Sequence, residues 1–157
     1  MLTVEIPGCG RLALEHLALD LNGTLALDGE VLPGVAERLA ALSPHLQIHL
    51  LTADTRGRGA ATAAALGIRL HRLAPGGDEA DQKRAFVESL GAEGVAAVGN
   101  GANDAEMLAA AALGVAVLGP EGLALPAWQK ADLVVPDINA ALDLLLGPQR
   151  LIATLRR

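Results

Sequence analysis

Residues 17–24 read LALDLNGT, an apolar run followed by an acid and a turn, and the fold prediction starts from this pattern. The apolar residues 17–19 are typical of a short buried strand, and Asp20 ends that strand. Asn22 and Gly23 then break the chain into a turn. The sequence therefore predicts a carboxylate at the end of a buried strand, beside a turn whose backbone amides can approach an anion.

Outward from this stretch, apolar runs of strand length alternate with segments that carry a helical stripe. Further strands are predicted at 46–54, 68–73, 95–99, 114–119 and 132–136, and helices at 35–42, 60–66, 78–90, 103–112, 123–130 and 137–146. Such alternation is typical of βαβ units, so we predict an α/β fold, a Rossmann-like three-layer αβα sandwich with a mainly parallel sheet. The whole chain, residues 1–157, is predicted to form a single domain.

The two ends of the chain lie outside this alternation. Residues 2–14 alternate apolar and polar side chains around a turn at 7–10, which predicts an N-terminal β-hairpin. Gly147 and Pro148 are expected to stop the last helix, and the residues after them to form a short basic tail.

The composition excludes several classes of function. Aromatic residues make up 1% of the chain, only Phe86 and Trp128, and both are expected in the core on their helices. Modules that bind nucleic acids by base stacking need more aromatic surface, and the net charge of −6 opposes contact with a polyanion. The single cysteine, Cys9, excludes an internal disulfide and a cysteine-based zinc cluster. We therefore expect no nucleic-acid partner.

Signals for targeting or membrane insertion are missing from the pattern. The first fifteen residues lack the basic end and the apolar run of a signal peptide. Residues 107–120, a long uncharged stretch, are fewer than the ~20 that a membrane span requires. We therefore expect a cytoplasmic protein without a membrane partner.

Polar residues follow the predicted strands. In a parallel sheet, ligands bind beyond the carboxyl ends of the strands. Those positions hold Asp20, Thr52 and the loop GNGAND at 99–104, while Lys83 lies near the beginning of a predicted helix. A carboxylate, a hydroxyl, a lysine and an acidic loop together suit phosphoryl transfer, which depends on positioning and charge neutralisation.

Four segments carry a family resemblance. They are DLNGTLA at 20–26, LLTADTRGRGAATAAALGI at 50–68, QKRAFVESLGAEGVAAVGNGANDAEMLAAAALGVAVLG at 82–119 and KADLVV at 130–135. They resemble an Asp-x-x-Gly-Thr nucleophile motif, a Leu-Thr-Gly-Asp segment, a lysine helix with a Val-Gly-Asp-Gly-x-Asn-Asp loop, and an Ala-Ala-Asp-Ile-Val segment. Together these motifs resemble the haloacid dehalogenase (HAD) superfamily, and most closely the phosphorylation domain of P-type ATPases.

The resemblance implies a Mg²⁺-dependent hydrolase, a phosphatase or an ATPase-like enzyme, that forms an aspartyl phosphate on Asp20. The catalytic residues would be Asp20, Asn22, Thr52 and Lys83. The substrate phosphate would be held by Gly23, Thr52, Ala53, Lys83 and Asn103. The metal would be held by Asp20, the backbone carbonyl of Asn22, Asn100 and Asp104.

Two positions depart from the family pattern. Asn22 stands where phosphatases of the superfamily have an Asp that exchanges protons, so roughly a 10²–10⁴-fold slower reaction is expected. Asn100 stands where the family has an Asp, although an amide oxygen can still bind Mg²⁺. The alternative function is therefore a catalytically weakened HAD-fold binding or regulatory protein.

The spacing of the motifs leaves no room for the cap domain that usually covers the site in this superfamily. Predicted core elements use all the residues from Asp20 to Thr52 and from Thr52 to Lys83. An open, capless site suits either a macromolecular substrate or a homo-oligomer whose neighbour supplies the lid. The expected partner is a small phosphorylated substrate or a phosphorylated macromolecule. Arg56 and Arg58 could guide such an anion, although a solvated surface is their more common role.

Overall fold

The computed structural model describes residues 1–54 and 57–157. The strands are β1 Leu2–Ile6, β2 Gly10–Leu14, β3 His16–Asp20, β4 Ala26–Leu27, β5 Glu30–Val31, β6 Gln47–Thr52, β7 Arg69–Arg72, β8 Val95–Gly99, β9 Leu113–Val117 and β10 Leu133–Val135. The helices are α1 Val35–Leu42, α2 Arg58–Leu66, α3 Glu79–Ser89, α4 Ala105–Ala110, α5 Leu125–Lys130, α6 Ile138–Leu146 and α7 Pro148–Leu155. Short 3₁₀ helices cover Ala92–Gly94 and Ala102–Asp104.

Six strands form a parallel sheet in the order β10-β9-β8-β3-β6-β7. Strand β3 lies at its centre, and residues 17–19 are fully buried there because helices cover both faces. Helices α1, α2 and α6 enclose the larger apolar core on one face, and α3, α4 and α5 enclose the smaller core on the other. The predicted three-layer αβα fold is confirmed.

Both ends of the chain pack against each other. Strands β1 and β2 form the predicted antiparallel hairpin. The residues after Gly147 were predicted to form a short basic tail, but residues 148–155 form the helix α7, which buries Leu151 and packs against β1. Proline is favourable in the first turn of a helix, so Pro148 starts α7 rather than only ending α6.

One aromatic residue does not lie where it was predicted. Trp128 is 58% exposed, whereas its neighbour Ala127 forms the buried face of the six-residue helix α5. Phe86 is half-buried and stacks on His71 with ring centroids 4.1 Å apart, so its predicted place at the core is correct. None of the helices in the described parts of the chain is long and apolar enough to cross a bilayer.

The topology brings three strand ends to one edge of the sheet. Strand β3 ends at Asp20 and lies between β6, which ends at Thr52, and β8, which ends at Gly99. Between Asp20 and Lys83, the described residues form α1, β6, α2, β7 and the two-residue strands β4 and β5. These described residues hold no cap domain.

Candidate active site

Asp20 lines a cavity of about 520 Å³ at this edge of the sheet. Its side chain is 12% exposed, its Oδ1 lies 2.8 Å from Lys83 Nζ, and its Oδ2 accepts a hydrogen bond from Thr24 Oγ1 at 3.2 Å. Burial, followed by repulsion from Asp104, raises the pKa of Asp20 to about 6, although Lys83 and Thr24 act in the opposite direction. The carboxylate is therefore mostly ionised at neutral pH and gains a proton in mildly acidic solution.

Lys83 projects from the buried face of α3 and bridges two carboxylates. Its Nζ lies 2.8 Å from Asp20 Oδ1 and 2.6 Å from Asp104 Oδ1. Burial by itself lowers the pKa of Lys83, but attraction to the two carboxylates outweighs burial, and the pKa lies above its usual value. A fully buried lysine is therefore held in its charged form, and the three side chains together keep one unbalanced negative charge.

Asp104 holds the loop between β8 and α4. Its Oδ2 accepts hydrogen bonds from the backbone N–H groups of Asn100 at 3.0 Å and Gly101 at 2.9 Å, while Oδ1 faces Lys83. A Cβ on Gly99 would come within 2.5 Å of Asp104 Cγ, so only glycine permits this close approach. Both carboxylate oxygens of this residue, which was predicted to bind the metal, thus have protein partners.

Thr24 is a site residue to which the sequence analysis gave no role. Its side chain is fully buried, and Oγ1 lies 3.2 Å from Asp20 Oδ2 and 3.1 Å from Asn100 Oδ1. The hydroxyl has one hydrogen, so it can donate to only one of the two oxygens at a time. The sequence does contain a signal that could have identified Thr24, because this residue is the threonine of the Asp-x-x-Gly-Thr motif.

The wall beside β6 is formed by Thr52, Ala53, Asp54 and Arg58, which all line the cavity. Thr52 is buried, and its hydroxyl accepts a hydrogen bond from the backbone N–H of Asp54 at 3.2 Å. Asp54 in turn accepts hydrogen bonds from two N–H groups at the beginning of α2. Arg58 is exposed and lines the cavity, whereas Arg56 lies outside the described residues.

The opposite wall carries amide side chains. Asn22, Asn100 and Asn103 all line the cavity, and the exposed Asn22 side chain faces solvent there. Asn103 Nδ2 donates to Glu79 Oε2 at 2.7 Å. The sequence analysis did not select Glu79, which is the first residue of α3 and shows no signal of its own in the sequence.

A metal is expected in the cavity beside the turn at Gly23. The lining of this cavity includes Asn22 and two residues with side-chain oxygens, Asp20 and Asn100. Glu121, which the sequence analysis did not select, also lines this cavity. The described residues hold no cluster of three or more His, Cys, Asp or Glu that could bind a metal. A donor set of one or two carboxylates with neutral oxygens fits Mg²⁺, which keeps several waters or phosphate oxygens as ligands.

Comparison with known proteins identifies a family and relatives. A family model of haloacid dehalogenase-like hydrolases matches residues 1–112. An uncharacterised protein of Methanocaldococcus jannaschii is 46% identical over 88 residues, which cover 51% of this chain and 90% of that protein.

Solved structures with a similar fold include two phosphatases. The cobalt-bound deoxy-D-mannose-octulosonate 8-phosphate phosphatase of Haemophilus influenzae is 18% identical with a TM-score of 0.71, and the similarity covers 87% of this chain and 90% of that one. A Moraxella catarrhalis 3-deoxy-D-manno-octulosonate 8-phosphate phosphatase with magnesium, phosphate and KDO is 19% identical with a TM-score of 0.67, and coverage is 91% and 94%. At these identities, the similarity shows the fold.

The catalytic domain of an ATPase also has a similar fold. The catalytic domain of the CPx-ATPase CopB-B is 26% identical with a TM-score of 0.60. The similarity covers 73% of this chain and 46% of that chain. Phosphatases and an ATPase catalytic domain thus share the arrangement of strands and helices described above.

Proposed function

Because the chain belongs to the haloacid dehalogenase-like hydrolases, we propose that it is a Mg²⁺-dependent phosphohydrolase that forms an aspartyl phosphate on Asp20. The observation that carries this proposal is the buried contact of Lys83 with both Asp20 and Asp104 at the end of the central strand. A fixed cation there holds the nucleophile in place and presents positive charge to an incoming phosphate.

The first step transfers the phosphoryl group. An oxygen of Asp20 attacks the phosphorus of the substrate, and the bond between phosphorus and the leaving oxygen breaks. Lys83 offsets the charge on the transferred group. The other phosphoryl oxygens are assigned to donors at the cavity wall, namely the Thr52 hydroxyl, the backbone N–H groups of Gly23 and Ala53, and the Asn103 amide.

Mg²⁺ is assigned to Asp20, the backbone carbonyl of Asn22 and the side-chain oxygen of Asn100. When bound, the cation offsets the charge on the phosphoryl oxygens and on the leaving oxygen. Asp104 was predicted as a further ligand, but its oxygens bond to Lys83 and to the amides of residues 100 and 101. We therefore assign Asp104 to holding the loop and Lys83 in place.

The second step, attack of water on the aspartyl phosphate, lacks an acid–base residue. Asn22 lines the cavity where that residue stands in phosphatases of the superfamily, and its amide cannot take a proton from water. We therefore expect the phosphoenzyme to be long-lived. The same absence favours substrates whose leaving oxygen is stable as an anion, such as aryl or acyl phosphates.

The test is hydrolysis of an aryl phosphate with and without Mg²⁺ by the unmodified chain and by Asp20→Asn. We expect slow, Mg²⁺-dependent release of the phenol that stops completely in the variant. Acid-quenched protein should carry one covalent phosphate, detected as a mass increase of the intact chain. Equal rates for the two proteins, together with no mass increase, would refute the proposal.

The second candidate function is that of a binding or regulatory protein. The amide side chains of Asn22 and Asn100 favour it. Both amides line the cavity at positions where the superfamily carries carboxylates. This alternative predicts that inorganic phosphate binds in the cavity without any turnover that depends on Asp20. Calorimetry with phosphate, run beside the assay above, separates the two candidates.

The substrate class follows from the cavity. The two similar phosphatases are named for a small phosphorylated sugar acid. A cavity of about 520 Å³ is large enough for a substrate of that kind. We therefore propose a small phosphorylated compound as the substrate, in preference to a phosphorylated macromolecule.

We also propose that the chain forms a homo-oligomer. The exposed side chains of Leu125 and Trp128 lie on α5, where a second copy of the chain could pack.

A further inference from the structure

The turn between β9 and α5 brings a carboxylate to the candidate metal site. Glu121 lies in this turn and lines the same cavity as Asp20, Asn22 and Asn100. The turn is closed by a hydrogen bond from the Gly122 N–H to the Gly119 carbonyl at 3.2 Å. Glu121 is thus presented by a short, internally bonded segment and not by a long loop.

Asn100 fixes this turn through two hydrogen bonds. Its side-chain Nδ2 donates to the Gly122 carbonyl at 3.2 Å, and its backbone carbonyl accepts from the Ala124 N–H at 2.9 Å. The two anchor points stand immediately after and three residues after Glu121. The position of the Glu121 backbone therefore depends on the residue at position 100.

Gly23 provides the space in which the two side chains meet. Its φ is +78°, and a Cβ at this position would lie 2.7 Å from Asn100 Nδ2 and closer still to Glu121 Oε2. A side chain here would displace both groups, so the glycine leaves open a space that the Glu121 carboxylate and the Asn100 amide share. The backbone carbonyl of Asn22 directly precedes this glycine.

The charges explain why an amide and a carboxylate occur together here. An Asp at position 100 would turn an oxygen towards the Gly122 carbonyl and the Glu121 carboxylate, and all three groups would repel one another. The Asn100 amide instead donates to that carbonyl and leaves Glu121 as the nearby negative charge. With Asn100 and Glu121 together, the candidate metal site still has a carboxylate, but this carboxylate lies on the turn between β9 and α5 and not at position 100.

We propose that Glu121 supplies the carboxylate ligand for a divalent cation that Asn100 does not supply, and that Asn100 positions the turn that carries it. This inference rests on the proposed function, since it concerns the same metal site. The charges that line the cavity agree with it in sign. The four carboxylates outnumber the two cations, so the cavity has a net negative charge that a divalent cation would offset; they are Asp20, Asp54, Glu79 and Glu121, against Lys83 and Arg58.

The test measures Mg²⁺ binding directly by titration calorimetry on the full chain. Glu121→Gln should bind Mg²⁺ at least roughly 10- to 100-fold more weakly, because loss of a direct ligand should cost no less than loss of a residue that only supports a ligand, for which that range is typical. The matched control is Glu93→Gln, which removes an exposed carboxylate at the opposite edge of the sheet and should bind like the unmodified chain. Thermal unfolding without metal checks that the variants fold equally well.

A double variant returns the charge to position 100. Asn100→Asp combined with Glu121→Gln should recover most of the lost affinity, because the carboxylate is again next to Asp20. Unchanged Mg²⁺ affinity in Glu121→Gln would overturn the inference, as would failure of the unmodified chain to bind Mg²⁺. Manganese paramagnetic resonance on the same proteins gives a second reading of the ligand change.

The binding result separates this inference from the proposed function. Aryl phosphate turnover that needs Asp20, with a Mg²⁺ affinity that does not change in Glu121→Gln, would refute the inference alone. Glu121-dependent Mg²⁺ binding without any phosphoenzyme on Asp20 would refute the phosphohydrolase proposal and leave the metal ligand in place.

Discussion

Lys83 Nζ lies 2.8 Å from Asp20 Oδ1, so a buried cation on α3 contacts the carboxylate at the end of the central strand. The same nitrogen lies 2.6 Å from Asp104 Oδ1. One buried positive charge thus faces two carboxylates. Burial and this imbalance raise the pKa of Asp20 to about 6. Part of the folding stability is therefore given up to keep an ionised carboxylate at the site.

We predict that Asp20→Asn stabilises the fold at neutral pH. The pKa of Asp20 rises from 3.8 to about 6 on folding, so the native state binds the proton more tightly. The contribution of Asp20 to the free energy of unfolding is then complete below pH 4 and is lost as the pH rises through 6. At pH 7.5 the variant should gain roughly 1–3 kcal/mol. Urea unfolding at pH 7.5 and pH 4 measures the gain, and a variant that is less stable at pH 7.5 would contradict it.

Replacement of Lys83 should destabilise the fold, in contrast to Asp20→Asn. Lys83→Met leaves the carboxylates of Asp20 and Asp104 buried without a cation, which costs about 3–5 kcal/mol. Urea unfolding at pH 7.5 measures the loss. The matched control is Arg84→Met on the exposed side of α3, where the surface ion pairs with Glu88 and Glu106 are removed and the loss should stay below about 1 kcal/mol.

A double variant tests the cause of that loss. If unpaired carboxylates are responsible, Lys83→Met combined with Asp104→Asn should recover part of the stability, because one of the two buried charges is then gone. A double variant whose loss equals the sum of the two single losses would show that the apolar packing of α3, and not the charge, had been damaged.

A carboxylate at position 22 should accelerate release of phosphate. Asn22→Asp restores a group that can take a proton from water, so dephosphorylation should become faster by roughly 10²–10⁴-fold. The exposed side chain at this position allows a charge without a desolvation cost. Steady-state turnover of an aryl phosphate should rise, and the covalent phosphate seen after acid quench should fall. The variant Asn22→Asp with Asp20→Asn is the control and should be inactive.

Sequence patterning was sufficient for the fold because burial acts on each strand locally. The apolar run at 17–19 predicts a central strand, and the structure places it in the middle of the sheet. Local patterning did not predict the helix after Pro148. This helix depends on the packing of Leu151 and on contact with the N-terminal hairpin, which joins the two ends of the chain. The prediction that Trp128 lies in the core was wrong for a related reason, because the short helix α5 buries only Ala127.

The candidate site was predictable where motifs mark it and not elsewhere. The family motifs mark two strand ends, at Asp20 and Thr52, and the helix that carries Lys83. The structure brings these three residues into one cavity. Glu79 and Glu121 reach the same cavity from the beginning of a helix and from a turn, and nothing in their local sequence distinguishes them from surface glutamates. Their position depends on how α3 and the turn after β9 pack beside β8.

His49 provides a second pH-dependent contribution to stability. It is buried on β6, with its Nε2 3.2 Å from His16 Nδ1 and its ring against Phe86. Burial, and then the charges of His16, Arg69 and His71, lower its pKa to about 4. Because the unfolded chain binds the proton more tightly, His49 lowers the free energy of unfolding as the pH falls from 6.5 to 4.

We predict that His49→Leu removes this loss in acid. The unmodified chain should lose up to ~3 kcal/mol through His49 between pH 7 and pH 4, while Asp20 gains stability over part of the same interval. The two effects oppose each other. The lowered pKa values of His71, Asp54 and Asp143 act in both proteins. In His49→Leu the contribution of His49 is gone, so acidification from pH 6 to pH 4 should cost less stability than in the unmodified chain. Urea unfolding measures both curves. The exposed His45→Leu is the matched control and should follow the unmodified chain, and a His49→Leu curve that coincides with it would refute the assignment.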